Sequence, residues 1–260
     1  MSRIHTFEAV DNFRDYGDYA TAASRRIRPG RLFRSAHHAR ASDADLARLA
    51  ELALGTVVDL RRTVERQAQP SRRFAGFDAT VIEHHGEDVG LVEAPHITFL
   101  KTTDLTEQSA RDFMRDAYRR IPFEGPHLDL FGRYFRALAD SHAPVLIHCA
   151  AGKDRTGLLA ALTHHLLGVG HDDLMADYLL TNTAVDLEGQ AGFVAERLKA
   201  MTGRSASHAA VVAFLGVAPA FLDAAMAEMT AVHGSVDGYL VEALGIDTAR
   251  RDRIAERLSA

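Results

Sequence analysis

The sequence predicts an α/β fold with a helical C-terminal part, and three observations carry that reading. Short apolar runs bounded by turn residues occupy much of the first half. From about residue 107 apolar residues recur at helical spacing. Between 144 and 168 the two patterns meet: the run Val145-Leu146-Ile147 leads through a compact loop of small residues into a helix, the strand–loop–helix order of an α/β unit.

Taken in order, residues 31–34 (RLFR), 56–60 (TVVDL) and 79–83 (ATVIE) read as strands. Ser42 opens an S-x-x-D capping pattern with Asp45, after which Leu46, Leu49 and Ala53 fall at helical spacing. Phe113, Ala117, Tyr118 and Ile121 form one helical stripe. Leu128, Phe131, Phe135 and Leu138 form the next, with Pro126 at its start. A buried strand at 145–147 precedes a helix from Thr156 to Leu167, stopped by Gly168. His171-Asp172-Asp173 after Gly170 starts another helix, its acids suited to the first turn. The remainder to residue 260 is helical, with further starts near Pro219 and Thr248.

A chain of 260 residues suits one domain across 1–260, with a helical region from about 172. Apolar residues make up 47%, enough for a core without metals or disulfides. A net charge of −5 and the absence of a basic cluster interleaved with aromatics argue against nucleic-acid binding. No apolar run approaches the roughly 18 residues that span a bilayer, so stable membrane insertion is not expected. The start, MSRIHTFEAV, lacks the basic-then-apolar order of a signal peptide. The single cysteine excludes an internal disulfide and a Cys-rich zinc site and fits a reducing compartment, so a cytoplasmic location is expected.

That cysteine carries the chemistry. In His148-Cys149-Ala150-Ala151-Gly152-Lys153-Asp154-Arg155-Thr156, Cys and Arg are separated by five residues. A loop of that length running into a helix N-terminus aims backbone N–H groups at one point. Ala150, Ala151 and Gly152 let the backbone approach a phosphate, and Lys153 adds a second cation inside the loop. Arg155 supplies a planar fork for two phosphate oxygens, and the same positive setting favours a Cys149 thiolate. Thr156 can donate to the sulfur, and His148 is placed to order the loop rather than act as a base. A lone cysteine after a strand is usually only packed; the arginine, glycine and threonine around it point to function. Gly152-Lys153 is not a nucleotide-binding loop, since Asp154 follows where Ser or Thr is required.

HCAAGKDRTG (148–157) resembles the signature loop of cysteine-based protein tyrosine and lipid phosphatases, and more narrowly the bacterial branch typified by the mycobacterial PtpB phosphatases. NFRDYG (12–17), RPGRLFRSA (28–36), TVVDLRRTVE (56–65) and GSVDGYLVEALG (234–245) resemble further stretches of that branch. Asp18 departs from it, standing where the family has a second glycine after Gly17. The resemblance implies a cysteine-phosphatase fold with a central, mostly parallel sheet flanked by helices. It also implies no metal or cofactor, and substrates that are phosphorylated proteins (phosphotyrosine, with phosphoserine and phosphothreonine) or phosphoinositides.

For the general acid, the Trp-Pro-Asp loop of many tyrosine phosphatases is absent, because the chain has no tryptophan. Asp154 is the first candidate and Asp59 the second, the latter equally readable as a strand-end carboxylate paired with Arg61 or Lys153. The adjacent pairs His37-His38, His84-His85 and His164-His165 point in diverging directions and are poor metal ligands. The helix carrying Phe193, Arg197 and Met201 reads as core-facing, with a cover over the site as the alternative. Arg61, Arg62, Arg66, Arg72 and Arg73 read as a solvated basic face. Two rival functions remain: a sulfurtransferase, against which the Cys-x5-Arg-Thr spacing argues, and a phosphate-binding module without turnover, which needs no thiolate.

Overall fold

The chain's computed structural model describes residues 3–86, 95–103 and 105–260, the side chains of residues 95–97, 188 and 201 excepted. Strands β1 (Arg14–Asp15) and β2 (Leu32–Ser35) precede helix α1 (Asp43–Glu51), β3 (Thr56–Asp59), α2 (Thr63–Ala68) and β4 (Thr80–Glu83). Next come α3 (Pro95–Thr102), α4 (Glu107–Arg120), a 3-10 turn (Ile121–Phe123), α5 (Gly125–Asp140) and the last strand, β5 (Val145–His148). Helices follow: α6 (Asp154–Leu166), α7 (His171–Leu179), α8 (Thr181–Ala184), α9 (Leu187–Thr202), α10 (His208–Leu215), α11 (Pro219–His233), α12 (Val236–Glu242) and α13 (Thr248–Leu258).

The sheet runs β1-β2-β5-β3-β4, and only the β1–β2 pair is antiparallel, so the expected mostly parallel sheet and helical C-terminal part are both present. β5 lies in the middle with all four residues buried, which is why it reads as a continuous apolar run. Alternation divides the sheet residues between two faces. Val58, Val145 and Ile147 join α5 and α6 residues such as Phe135 and Leu159 in the main core. Val57 and Leu146 join Phe13, Phe33, Leu46 and Leu49 in a second one. Ser35, His148 and Asp59 stand in register at the carboxyl ends of three parallel strands. That edge of an open α/β sheet is where ligands bind.

Ser42 and Asp45 form the anticipated capping box, each backbone N–H meeting the other's side chain at 3.1 Å. The helix stops earlier than the apolar spacing suggests. Ala53 lies beyond it at φ +48°, where the chain turns toward β3. β1 was not anticipated, for two polar residues carry no strand pattern. α9 is core-facing as expected, but not through Phe193. It buries Ala191 and Leu198 against Phe99, Leu100, Leu105 and Val211, while Phe193 is 71% exposed. The side chain of Met201 lies outside the described residues. Among the described residues no single helix is long and apolar enough to cross a membrane; α10 and α11 meet that test only jointly, across a 46° bend.

Candidate active site

The loop joining β5 to α6 is shaped by what takes its carbonyls. The His37 N–H donates to Ala150 O at 3.2 Å. The Asn12 amide donates to Ala151 O at 3.2 Å and to Gly152 O at 2.8 Å, and Arg34 Nη2 also reaches Gly152 O at 3.1 Å. In a trans peptide the N–H points away from the preceding carbonyl. Engaging these three carbonyls therefore turns the N–H groups of Ala151, Gly152 and Lys153 the opposite way. Among the described residues none of those three donates to another backbone carbonyl outside the regular helices and strands. Gly152 is required twice over. Its φ is +64°, and a Cβ there would sit 2.4 Å from the Ser35 carbonyl. The adjoining start of α6, at Asp154, adds the unsatisfied N–H groups of a helix N-terminus. Cys149 lies at the base of this loop, 2% exposed.

Arg155 is held by Glu65, Nη1 to Oε2 at 2.6 Å and Nη2 to Oε1 at 2.9 Å, and by Leu60 O at 3.1 Å. A guanidinium has five N–H bonds. These contacts use both at Nη1 and one at Nη2, which among the described residues leaves Nε–H and the second Nη2–H as one open edge of the fork. Burial works against the Arg155 charge, but the bond to Glu65 and the field of Cys149 outweigh it and raise its pKa. Burial likewise opposes the Glu65 carboxylate, and Arg155 prevails, pulling it down to about 2.

Asp154 accepts a hydrogen bond from the Tyr118 hydroxyl at 3.0 Å, and Tyr178 donates to Tyr118 at 2.8 Å. Burial pushes both phenols well above their ordinary range, so they remain neutral donors. The Lys153 Nζ donates to Phe214 O in α10 at 2.7 Å and lies 3.6 Å from Asp154. Thr156 is fully buried, and its Oγ1 makes no hydrogen bond among the described residues.

Asp59 sits beside the loop rather than in it. Arg61 grips it with Nε at 2.9 Å and Nη2 at 2.6 Å, and the Arg61 N–H adds a third bond at 3.1 Å. Burial alone would raise its pKa, but His148 and Arg61 hold the carboxylate well below the usual range. Of the two readings given to Asp59, this contact set is the strand-end carboxylate paired with Arg61. Arg61 is itself 2% exposed and so does not belong to a solvated face. The neighbouring imidazole of His148 is neutral, pushed down to about 4 by burial.

A second buried cluster contacts the loop from β1, β2 and α7. Arg14 and Arg34 stand directly opposite each other on adjacent strands, both without exposed surface. Asp177 takes Arg34 Nη1 at 2.9 Å and Arg14 Nε at 3.4 Å. Arg14 further donates to Asn12 Oδ1, to Asp177 O at 3.1 Å and to Thr181 Oγ1 at 3.2 Å. Two cations thus share one carboxylate. Burial first, then the field of Arg34, lowers Arg14 to about 10.

Sequence reasoning located Cys149, Asp154, Arg155 and Thr156 as a group because they are contiguous. It missed Glu65, Asn12, Arg14, Arg34 and Asp177, although all but the last lie within stretches compared above with the phosphatase branch. Among the described residues no group of three or more His, Cys, Asp or Glu side chains could hold a metal ion.

Known proteins place this geometry. The chain is 37% identical to a Cupriavidus necator protein named "Putative tyrosine-protein phosphatase", over 94% of this chain and 85% of that protein. It is 34% identical to the triple specificity protein phosphatase PtpB of Mycobacterium tuberculosis, over 94% of both. A family model described as the tyrosine phosphatase family matches residues 5–260, the Cys149 loop and both arginine clusters included. The chain therefore belongs to the tyrosine phosphatase family.

Proposed function

We propose that the protein hydrolyses phosphate monoesters through a phosphocysteine on Cys149. One observation carries the reading: the loop above Cys149 turns three backbone N–H groups away from its engaged carbonyls, beside an Arg155 fork with one edge left open. A phosphoryl group bound there meets donors for its equatorial oxygens and a sulfur for in-line attack.

In the first step the Cys149 sulfur forms a bond to phosphorus as the ester P–O bond breaks, and the leaving oxygen takes a proton from Asp154. In the second, water attacks the phosphocysteine, Asp154 takes the proton, and inorganic phosphate leaves as the S–P bond breaks. The neutral Tyr118 hydroxyl holds the Asp154 carboxyl in one orientation for both transfers. The unpartnered Thr156 hydroxyl can donate to the sulfur as charge returns to it. Asp59, saturated by Arg61, serves to anchor the strand end and not to carry a proton. The substrates are phosphotyrosine, with phosphoserine, phosphothreonine and phosphoinositides; the triple specificity for which the mycobacterial relative is named supports that breadth.

The test is phosphate release from a small aryl phosphate, then from a panel of phosphopeptides and phosphoinositides. Cys149→Ser should lose turnover by several orders of magnitude while still binding tungstate, since a hydroxyl is a poor nucleophile in a site built for a thiolate. Substantial residual activity in that variant refutes the phosphocysteine.

A further inference from the structure

We infer that Asn12, Arg14, Arg34 and Asp177 form a positioning unit that orients the Gly152 and Lys153 N–H groups toward the bound phosphate, and that its one excess positive charge is matched by that anion. The inference rests on the reading of Cys149–Arg155 as a phosphate site and adds the residues that set its backbone.

The first support is geometric. Asn12 and Arg34 converge on the carbonyls of Ala151 and Gly152, and Arg14 binds the Asn12 side-chain oxygen, which leaves the amide nitrogen facing the loop. Arg14 thereby selects which end of Asn12 meets the carbonyls. The second is charge. Like charges opposite each other on neighbouring strands are unfavourable, and here two fully buried guanidiniums share one carboxylate. His164, which also feels Asp177, adds no further positive charge, since burial lowers its pKa. A purely structural tie between α7 and the sheet has no use for the surplus cation. A loop that binds a dianion does. The third is conformational. Asn12 is itself left-handed, at φ +57°, a region in which glycine is most at ease, yet it carries the amide that reaches the loop.

The experiment compares wild type, Asn12→Asp and Asn12→Gly. Asn12→Asp keeps the shape and the Arg14 contact, but it faces two carbonyls with an acceptor and cancels the surplus charge. Asn12→Gly keeps the left-handed backbone and removes both the N–H donors that reach the loop and the Oδ1 that Arg14 binds. Tungstate affinity is read by calorimetry, kcat and KM with an aryl phosphate, and the melting midpoint with and without phosphate. For Asn12→Asp we expect tungstate affinity and kcat/KM both to fall about 100-fold, the size of a lost oxyanion donor. The phosphate-induced rise in midpoint should vanish with the affinity. Asn12→Gly should lose about 30-fold, the worth of the two hydrogen bonds given to the loop, with its anion-free midpoint lowered modestly by the lost Arg14 contact. Should Asn12→Asp fail to fold, Asn12→Gly decides alone. Folded variants that bind tungstate like wild type, or that lose stability without losing affinity, overturn the positioning role. Wild type that neither binds tungstate nor turns over overturns the phosphatase reading itself, and this inference with it.

Discussion

Two arginine–carboxylate clusters serve the same loop and are built in opposite ways. The inner one, Arg14 and Arg34 on Asp177, is sealed from solvent, holds two cations to one anion, and touches only backbone carbonyls of the loop. The outer one, Arg155 on Glu65, is balanced in charge and part-exposed, its side chains 16% and 26% accessible, with one edge of the guanidinium open. The difference separates two tasks. A buried charge set is costly to rearrange, by several kcal/mol if a partner is removed, so the inner cluster fixes geometry. A part-exposed pair can exchange contacts as ligands come and go, so the outer cluster can hold phosphate and release it.

The comparison breaks most sharply at Arg155. Arg155→Lys keeps the charge and removes the fork, and should cut kcat/KM by about 1,000-fold, roughly 4 kcal/mol of transition-state stabilisation. Glu65→Gln leaves Arg155 intact and less firmly aimed, with an expected loss near 10-fold. Steady-state kinetics on both variants checks the ordering. Equal losses would mean that the pair works as one rigid unit, as the inner cluster does. Next in size is Asp154→Asn. It should slow esters with poor leaving groups about 100-fold and activated aryl phosphates only a few-fold, because the latter hardly need a proton. Equal slowing of both classes would leave Asp154 with a structural role and make Asp59→Asn the next variant to measure.

How much of this was legible follows from sequence separation. The strands β3, β4 and β5 are short runs dense in β-branched or aliphatic residues, β2 carries the apolar pair Leu32-Phe33, and all four are legible within a residue or two. β1 is Arg-Asp, and only its pairing with β2 reveals it. Cys149 to Thr156 form one contiguous segment, whose chemistry shows in the spacing. Glu65 lies 90 residues from Arg155, and Asn12 lies 140 from Gly152, so no local pattern links them. Lys153 illustrates the other limit. Its place in the loop suggested a second phosphate cation, yet its flexible stem carries the ammonium to the Phe214 carbonyl. The helix carrying Phe193 reads as core-facing, and it buries Ala191 and Leu198 while leaving Phe193 in solvent.

Acid should act on the two faces of the site in sequence. His148 is depressed from 6.5 to about 4 by burial, so the unfolded chain takes up its proton first as pH falls through that interval. Stability present above pH 6.5 is therefore lost between 6.5 and 4, by on the order of 3 kcal/mol as an upper bound for this group. Glu65 shifts down from 4.5 to about 2, so its contribution, intact above 4.5, is lost only between 4.5 and 2. Urea midpoints measured from pH 8 to 3 should thus fall in two stages. His148→Asn should shrink the first, which other buried imidazoles share, and leave the second, and Glu65→Gln should shrink the second and leave the first. A first stage unchanged in His148→Asn would assign it to other imidazoles, such as His127, which burial lowers to about 3.

The smallest expected effect lies outside both clusters and serves as their control. Asp18, the position at which the sequence departs from the resemblance, adopts φ +56°. The left-handed region costs an L-residue with a Cβ roughly 1–2 kcal/mol, less for Asp, while glycine enters it freely. What Asp18 gains in return is a pair with Arg26 and a longer contact with Arg3 at 3.9 Å, both on the surface, where such pairs contribute little. Asp18→Gly should accordingly change stability by no more than about 1 kcal/mol, in the stabilising direction, because relief of the backbone outweighs the lost pairs. Chemical denaturation at low and high salt checks the balance, since salt screens only the ion pairs. Tungstate affinity and kcat/KM should stay at wild-type values, for Asp18 bonds to neither arginine cluster. A destabilised Asp18→Gly at low salt that recovers at high salt would show that the surface pairs outweigh the backbone. A loss of tungstate affinity there would extend the positioning unit along the chain from Asn12 to Asp18, and the sharp division between an inner cluster that sets geometry and the surrounding scaffold would have to be redrawn.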